Sequence, residues 1–105
     1  MKTYRQERCG ITFESKRFVE KYLEKVGKVE SVVTGLDTDV PSLNVTIING
    51  ERGKIIVDGF NWGYGGEGPR GLFWLLTEKL GWDHYTMNDI CSAPPRGQIY
   101  QDREK

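Results

Sequence analysis

Apolar residues recur along the chain at two spacings, one typical of helices and the other of strands. The first helical pattern places four apolar residues at positions i, i+3, i+4 and i+7: Val19, Tyr22, Leu23 and Val26. Ser15 is placed to cap the start of this segment, and Gly27 provides a stop. The pattern predicts an amphipathic helix over residues 15–26.

Alternating or β-branched segments predict strands on either side of that helix. Residues 3–13 alternate apolar with polar positions and are interrupted at Gly10, which predicts a strand with a bend or bulge. Residues 29–34 form a short segment rich in β-branched side chains, which also predicts a strand. Residues 43–48 and 55–60 flank a turn that contains glycine, so they predict a hairpin.

A second, more apolar helix follows a glycine-rich segment. Pro69 suits the first helical position, since its missing N–H would have no partner there. Leucines and a phenylalanine then cover most of the circumference as far as Gly81. Residues 86–89 have the form of a capping box and predict a short helical turn. Two prolines end that turn, and residues 98–105 predict a strand fragment with a charged end.

The order of these elements predicts a single α+β domain over residues 1–105. We expect a small antiparallel sheet of about four to five strands, with two main helices packed on one side. A chain of 105 residues can bury one modest core. It therefore offers room for one site or one interface.

The charges cancel, with 15 basic and 15 acidic residues, so no overall field draws the chain to duplex nucleic acid or to a membrane. The first residues lack the apolar stretch of a signal peptide, and we expect a soluble, cytoplasmic protein, in the host cytoplasm if viral. Two cysteines far apart predict no disulfide framework or zinc site, and Asp37 with Asp39 lacks a third metal ligand. No metal or cofactor is therefore expected.

The segment NWGYGGEGPRG, residues 61–71, has five glycines in eleven positions. It satisfies G-x-G-x-x-G literally between a predicted strand and a predicted helix. A dinucleotide fold also needs a second parallel strand and an acidic residue after the helix, and neither follows Gly81. A Walker loop needs Gly-Lys-Ser or Gly-Lys-Thr, which does not occur. Both assignments are therefore rejected.

A more general chemistry remains for this segment. Glycine-rich backbone entering a helix presents free N–H groups and the positive end of the helix dipole, which suit an anion. Arg70 would neutralise charge, while the rings of Trp62 and Tyr64 could stack on a base. We therefore predict a site for an anionic, nucleotide-like small molecule, a class that includes cyclic nucleotides. Its candidate residues are Asp58, Asn61, Trp62, Gly63, Tyr64, Gly65, Gly66, Gly68 and Arg70.

The string WGYGGEGP, residues 62–69, resembles the W-G-Y-G-G-x-G-P signature of a family of small domains in bacteria, archaea and their viruses. The similarity spans about residues 43–92, and members usually have Ser or Thr in place of Glu67 and a small residue in place of Trp74. The family carries no established activity. In size and pocket ingredients the chain also resembles phage proteins that sequester cyclic nucleotide signals, which implies a role in nucleotide sequestration.

Three alternatives remain open from the sequence. The aromatics of the loop could simply cover the core, with the glycines permitting close packing of strand and helix. The same loop could serve a protein-interaction module, and a helix carrying Phe73 and Trp74 among leucines suggests a homo-oligomer. Asp58 and Glu67 could instead act as an acid–base pair that cleaves a phosphodiester.

Overall fold

The computed structural model describes residues 1–40 and 43–103 and has an α+β fold. The last two residues of the predicted charged end, 104 and 105, lie outside the described residues. The strands are β1 (Lys2–Arg5), β2 (Val29–Leu36), β3 (Asn44–Gly50), β4 (Gly53–Val57) and β5 (Ile99–Tyr100). The α-helices are α1 (Thr12–Tyr22), α2 (Glu67–Trp74) and α3 (Met87–Cys91), with a 3-10 turn at Leu23–Val26 and a π-helical turn at Leu75–Lys79.

The five strands form one sheet in the order β1-β4-β3-β2-β5. Three of the four neighbouring pairs are antiparallel, as expected, but β1 pairs with β4 in parallel, so the sheet is mixed. The reason lies in α1, which carries the chain back along the sheet so that β1 and β2 run in the same direction. Since β4 is two antiparallel steps from β2, it also runs parallel to β1.

One face of the sheet forms the core with the helices. Residues in register across all five strands line this face: Tyr4, Ile55, Ile48, Val32 and Tyr100. The helices contribute side chains that are fully buried in the same cluster: Val19, Leu72, Leu75 and Leu76. The apolar spacings of both predicted helices therefore mark the residues that the core buries.

The opposite face of the sheet also carries a row of apolar residues, which begins beside a charged one. The row runs across the sheet through Arg5, Ile56, Ile47, Val33 and Ile99. Ile56 is buried, whereas Ile99 at the edge is 64% exposed. This face is therefore covered at one end only.

Helix α1 begins at Thr12 with Ile11 at its N-cap, four residues before Ser15, the N-cap that the sequence pattern predicted. Ser15 lies inside the helix and is fully buried. Its hydroxyl donates to the side-chain oxygen of Gln6 at 2.7 Å and accepts from the backbone N–H of Gly59 at 2.8 Å. The serine therefore ties the helix to neighbouring segments, which is why a helix-cap rule misassigned it. The predicted capping box of Thr86 and Asp89 is confirmed.

The strand predicted over residues 3–13 ends at Arg5, and the one predicted over 55–60 ends at Val57. In residues 1–40 and 43–103 no helix is long and apolar enough to span a membrane.

Candidate functional site

The glycine-rich loop, defined here as residues 61–68, leads from the end of β4 into α2. Gly66 stands immediately before the first helical residue, Glu67. The predicted order of strand, loop and helix is therefore confirmed, and the loop does meet a helix N-terminus. Seven of the nine predicted site residues lie in this loop, Asp58 precedes it and Arg70 follows it in α2, and the nine fall into two groups.

Trp62 belongs to the core and not to an open site. Its side chain is 4% exposed and packs in the main hydrophobic cluster. The indole N–H donates to the backbone carbonyls of Pro94 at 3.1 Å and Pro95 at 3.3 Å. Because the ring is buried and its polar atom is paired, the expected stacking of Trp62 on a ligand does not fit its position.

Gly63 and Asn61 also make structural contacts. The backbone N–H of Gly63 donates to the carbonyl of Ile90 at 2.9 Å, and its φ of +83° lies in the region that favours glycine. The side-chain oxygen of Asn61 accepts from the backbone N–H of Trp62 at 3.0 Å and from the amide of Asn44 at 3.4 Å. These bonds anchor the first half of the loop to α3 and β3.

Asp58 is directed towards the connection between β1 and α1. Its carboxylate accepts from the backbone N–H groups of Cys9 at 3.1 Å and Gly10 at 3.2 Å. Both carboxylate oxygens are thus engaged in holding residues 9–10. The expected contact of Asp58 with a ligand at the loop, and the acid–base pair that it would form with Glu67, therefore lack support.

The second half of the loop is more open as far as Glu67, whereas Gly68 is buried. The backbone N–H groups of Gly65, Gly66, Glu67 and Gly68 have no acceptor among the described residues. The first bond of this turn runs from the N–H of Arg70 to the carbonyl of Gly66 at 3.1 Å. Unpaired N–H groups at this position are inherent in a helix start, and the helix dipole gives them a partial positive charge.

Tyr64 lies against the same stretch of backbone. A Cβ on Gly66 would be 3.0 Å from Cε2 of the Tyr64 ring, and one on Gly68 would be 3.1 Å from its hydroxyl oxygen. The tyrosine is nevertheless 48% exposed. The glycines therefore admit a ring that packs on the loop and still presents surface to solvent.

The start of α2 carries one positive and one negative side chain, Arg70 and Glu67. The guanidinium of Arg70 lies 4.0 Å from the carboxylate of Glu67, and the two side chains are 72% and 79% exposed. A pair this long and this exposed contributes little to stability. The guanidinium is therefore available to a partner in solution.

The structure also resolves the role of the two aspartates that follow β2. The guanidinium of Arg5 donates to both carboxylate oxygens of Asp37, at 2.8 and 3.2 Å, and to Asp39 at 3.3 Å. The hydrogen bond from Arg5 holds the pKa of Asp37 below its ordinary value of 3.8. Among the described residues no group of three or more potential metal ligands occurs. The pairing with Arg5 was not predicted, since 32 residues separate it from Asp37.

Comparison with protein-family models, curated proteins and solved structures found no match to this chain. The resemblance of residues 43–92 to the signature family therefore stays a prediction.

Proposed function

We propose that this chain is a non-catalytic binding protein that holds an anionic, nucleotide-like ligand at the second half of the glycine-rich loop. One observation supports this above the others. Four successive backbone N–H groups, from Gly65 to Gly68, lack an acceptor among the described residues at the start of a helix, with exposed Arg70 one turn on. Backbone donors, a helix dipole and a guanidinium are a combination suited to phosphate.

Each remaining candidate residue has a distinct role in this proposal. The N–H groups of Gly65, Gly66 and Gly68 donate to the anion, and Arg70 neutralises its charge. The exposed ring of Tyr64 offers a surface on which a base stacks, a contact that tolerates any base. Asp58, Asn61, Trp62 and Gly63 move to a supporting role, because their polar groups are engaged within the protein.

A ligand whose phosphate meets the N–H groups while its base stacks on Tyr64 is a nucleotide, either cyclic or linear. Capture of a nucleotide signal by a protein of a phage or mobile element is the biological role that we propose for such binding. The affinity must come from a few exposed groups, because Tyr64 and Gly65 are exposed whereas Gly66 is half-buried and Gly68 is buried.

A thermal-shift titration with cyclic and linear nucleotides tests this proposal. A ligand that binds only the folded state, present at about 100 times its Kd, adds about 2.7 kcal/mol, which raises Tm by roughly 10 °C in a domain of this size. Arg70→Gln should abolish the shift and leave the Tm of the free protein unchanged. Arg96→Gln, which removes another exposed arginine, is the matched control and should retain the shift.

Two results would overturn nucleotide binding at this loop. The first is no shift with any nucleotide at millimolar concentration. The second is an equal loss of the shift in the two arginine variants, because that would reflect net charge instead of a site.

A second candidate function is a protein-interaction module, which includes self-association through the same loop. Glu67 favours it, because a carboxylate in the first turn already places a negative charge at the helix N-terminus, 4.0 Å from Arg70. The exposed ring of Tyr64 is also typical of protein interfaces. Sedimentation of the wild type and Tyr64→Ser would test this candidate, with a smaller oligomer expected for the variant.

The homo-oligomer no longer gains support from the apolar helix. Trp74 is only partly exposed, and two lysines lie over its ring, with Nζ of Lys16 at 5.3 Å and Nζ of Lys79 at 5.7 Å from the centroid. Both lysines belong to the same chain, so the ring already has a partner. Self-association is therefore proposed through Tyr64 and the loop alone.

A further inference from the structure

A cavity of about 440 Å³ opens on the face of the sheet that points away from the helices. Its floor is apolar and belongs to two central strands, with Val45 of β3 and Ile56 of β4 both buried. Val40 and Leu43 add apolar walls from the connection between β2 and β3. The volume falls in the range of about 300–1,000 Å³ that is usual for small-molecule sites.

The Arg5–Asp37 pair holds one wall of this cavity in place. Arg5 belongs to edge strand β1, whereas Asp37 follows β2 on the far side of β4 and β3. Their bond therefore draws the connection after β2 across the sheet. That connection is also held by its own backbone, since the N–H of Asp37 donates to Leu43 at 2.8 Å and the N–H of Leu43 donates to Val40 at 2.9 Å. Hydrogen bonds therefore hold in place the connection that forms this wall of the cavity.

The charged side chains around the cavity are predominantly acidic. Among the residues that the structure describes, the lining contains four carboxylates and two guanidinium groups, a net charge of −2: Glu7, Asp37, Asp39, Asp58, Arg5 and Arg8. Arg5 is neutralised by Asp37, with which it makes two bonds. The side chain of Asp39 is 74% exposed, and its contact with the guanidinium of Arg5 is longer, at 3.3 Å. The charge of Asp39 therefore faces solvent at the mouth of the cavity.

We propose that this cavity binds a small amine with an apolar body, such as an arylalkylamine or alkylamine. The body rests on Val45, Ile56 and Leu43, while the ammonium group lies at the mouth near Asp39 and Glu7. An apolar floor alone accepts any small hydrophobic molecule, and it is the acidic rim that selects a cation. This site is separate from the loop at α2 and has the opposite preference for charge.

Three probes of similar shape test the proposal by NMR titration of the wild-type protein at pH 7. The probes are 2-phenylethylamine, 2-phenylethanol and 3-phenylpropanoate. Binding of each is monitored through the methyl signals of Val45 and Ile56. The amine should shift these signals with an affinity about two- to five-fold above that of the alcohol, the range that one exposed ion pair supplies. The carboxylate should bind most weakly, and added salt should reduce the difference.

Two charge-matched variants locate the ammonium group. Asp39→Asn should lower the affinity for the amine about two- to five-fold and leave that for the alcohol unchanged. Asp83→Asn removes an exposed carboxylate outside the cavity lining and should change neither affinity. Glu7→Gln provides a second test at the mouth if Asp39→Asn disturbs the connection after β2.

Three outcomes would overturn the proposal. A carboxylate probe that binds as tightly as the amine would make Arg8 or Arg5 the recognising group. Equal effects of Asp39→Asn and Asp83→Asn would leave only a general charge effect. Absence of any shift at Val45 and Ile56 with all three probes would show that the cavity is not a binding site.

Discussion

Tyr85 holds both backbone polar groups of Gln101: its hydroxyl oxygen accepts from the N–H of Gln101 and its O–H donates to the carbonyl, each at 2.8 Å. Gln101 directly follows the two-residue edge strand β5. A side chain thus takes the place of a neighbouring strand at that point. Since an unpaired edge invites pairing with other chains, the tyrosine also protects this end of the sheet.

We expect Tyr85→Phe to lower the free energy of unfolding by about 1–3 kcal/mol, because it leaves a backbone N–H and a carbonyl without their partner. Tyr100→Phe should be neutral or stabilising. Tyr100 packs edge-on against Tyr85 with ring centroids 5.2 Å apart, and its buried hydroxyl lies near the side chain of Gln98 without a hydrogen bond of good geometry. Both variants lose one tyrosine hydroxyl, and the two rings are in contact. Urea denaturation compares their free energies of unfolding. A greater loss in Tyr100→Phe would contradict the assignment.

The Arg5–Asp37 pair makes the fold sensitive to acid. Because Arg5 lowers the pKa of Asp37 below 3.8, the native state favours the ionised carboxylate more than the unfolded state does. The resulting stability is complete above pH 3.8 and is lost as the pH falls from there through the lower folded pKa. Asp37→Asn should therefore be less stable than the wild type at pH 7, and the difference should shrink below pH 3.8.

Circular dichroism during urea unfolding, repeated between neutral and acidic pH, measures this difference. Asp83→Asn removes an exposed carboxylate and serves as the control. Parallel loss of stability in the wild type and Asp37→Asn across the acid range would show that Asp37 does not contribute to acid sensitivity.

Gly71 is required for the close approach of α2 to its neighbours. A Cβ at this position would lie 2.5 Å from a ring carbon of Phe60 and 2.6 Å from the methyl group of Thr12 in α1. We expect Gly71→Ala to lower the free energy of unfolding by about 1–3 kcal/mol through overpacking, despite the better helix propensity of alanine. Gly65→Ala, where a Cβ meets no atom within 4 Å, is the control and should change stability little. Equal stabilities in urea denaturation would contradict this packing.

Local patterns predicted the α+β class and much of the candidate loop. The spacing of Val19 and its neighbours marked the buried face of α1, and the capping box at Thr86 was found where the sequence placed it. The glycine-rich loop likewise leads from a strand into a helix, as its composition indicated. Each of these features depends on residues within a few positions of one another, which is where sequence patterns carry most information.

The partners of individual side chains could not be predicted, because they depend on distant segments. Trp62 is buried beneath the carbonyls of residues 94–95, and Asp58 reaches back to residues 9–10. An aromatic residue in a polar, glycine-rich stretch has the same local pattern whether its ring faces solvent or the core. The parallel pairing of β1 with β4 also depends on where α1 returns the chain.

Glu67 allows ligand binding and helix stability to be separated at the proposed site. Its carboxylate stabilises the start of α2 through the helix dipole but repels an anion at the same N–H groups. Glu67→Gln should therefore raise the affinity for a nucleotide about two- to five-fold and lower the stability of the free protein by about 0.3–1 kcal/mol. Isothermal titration and urea denaturation measure the two effects, and Glu78→Gln, an exposed acid at the far end of the helical segment, should produce neither. Lower stability with unchanged nucleotide affinity would place the ligand away from this helix start and favour the interaction module.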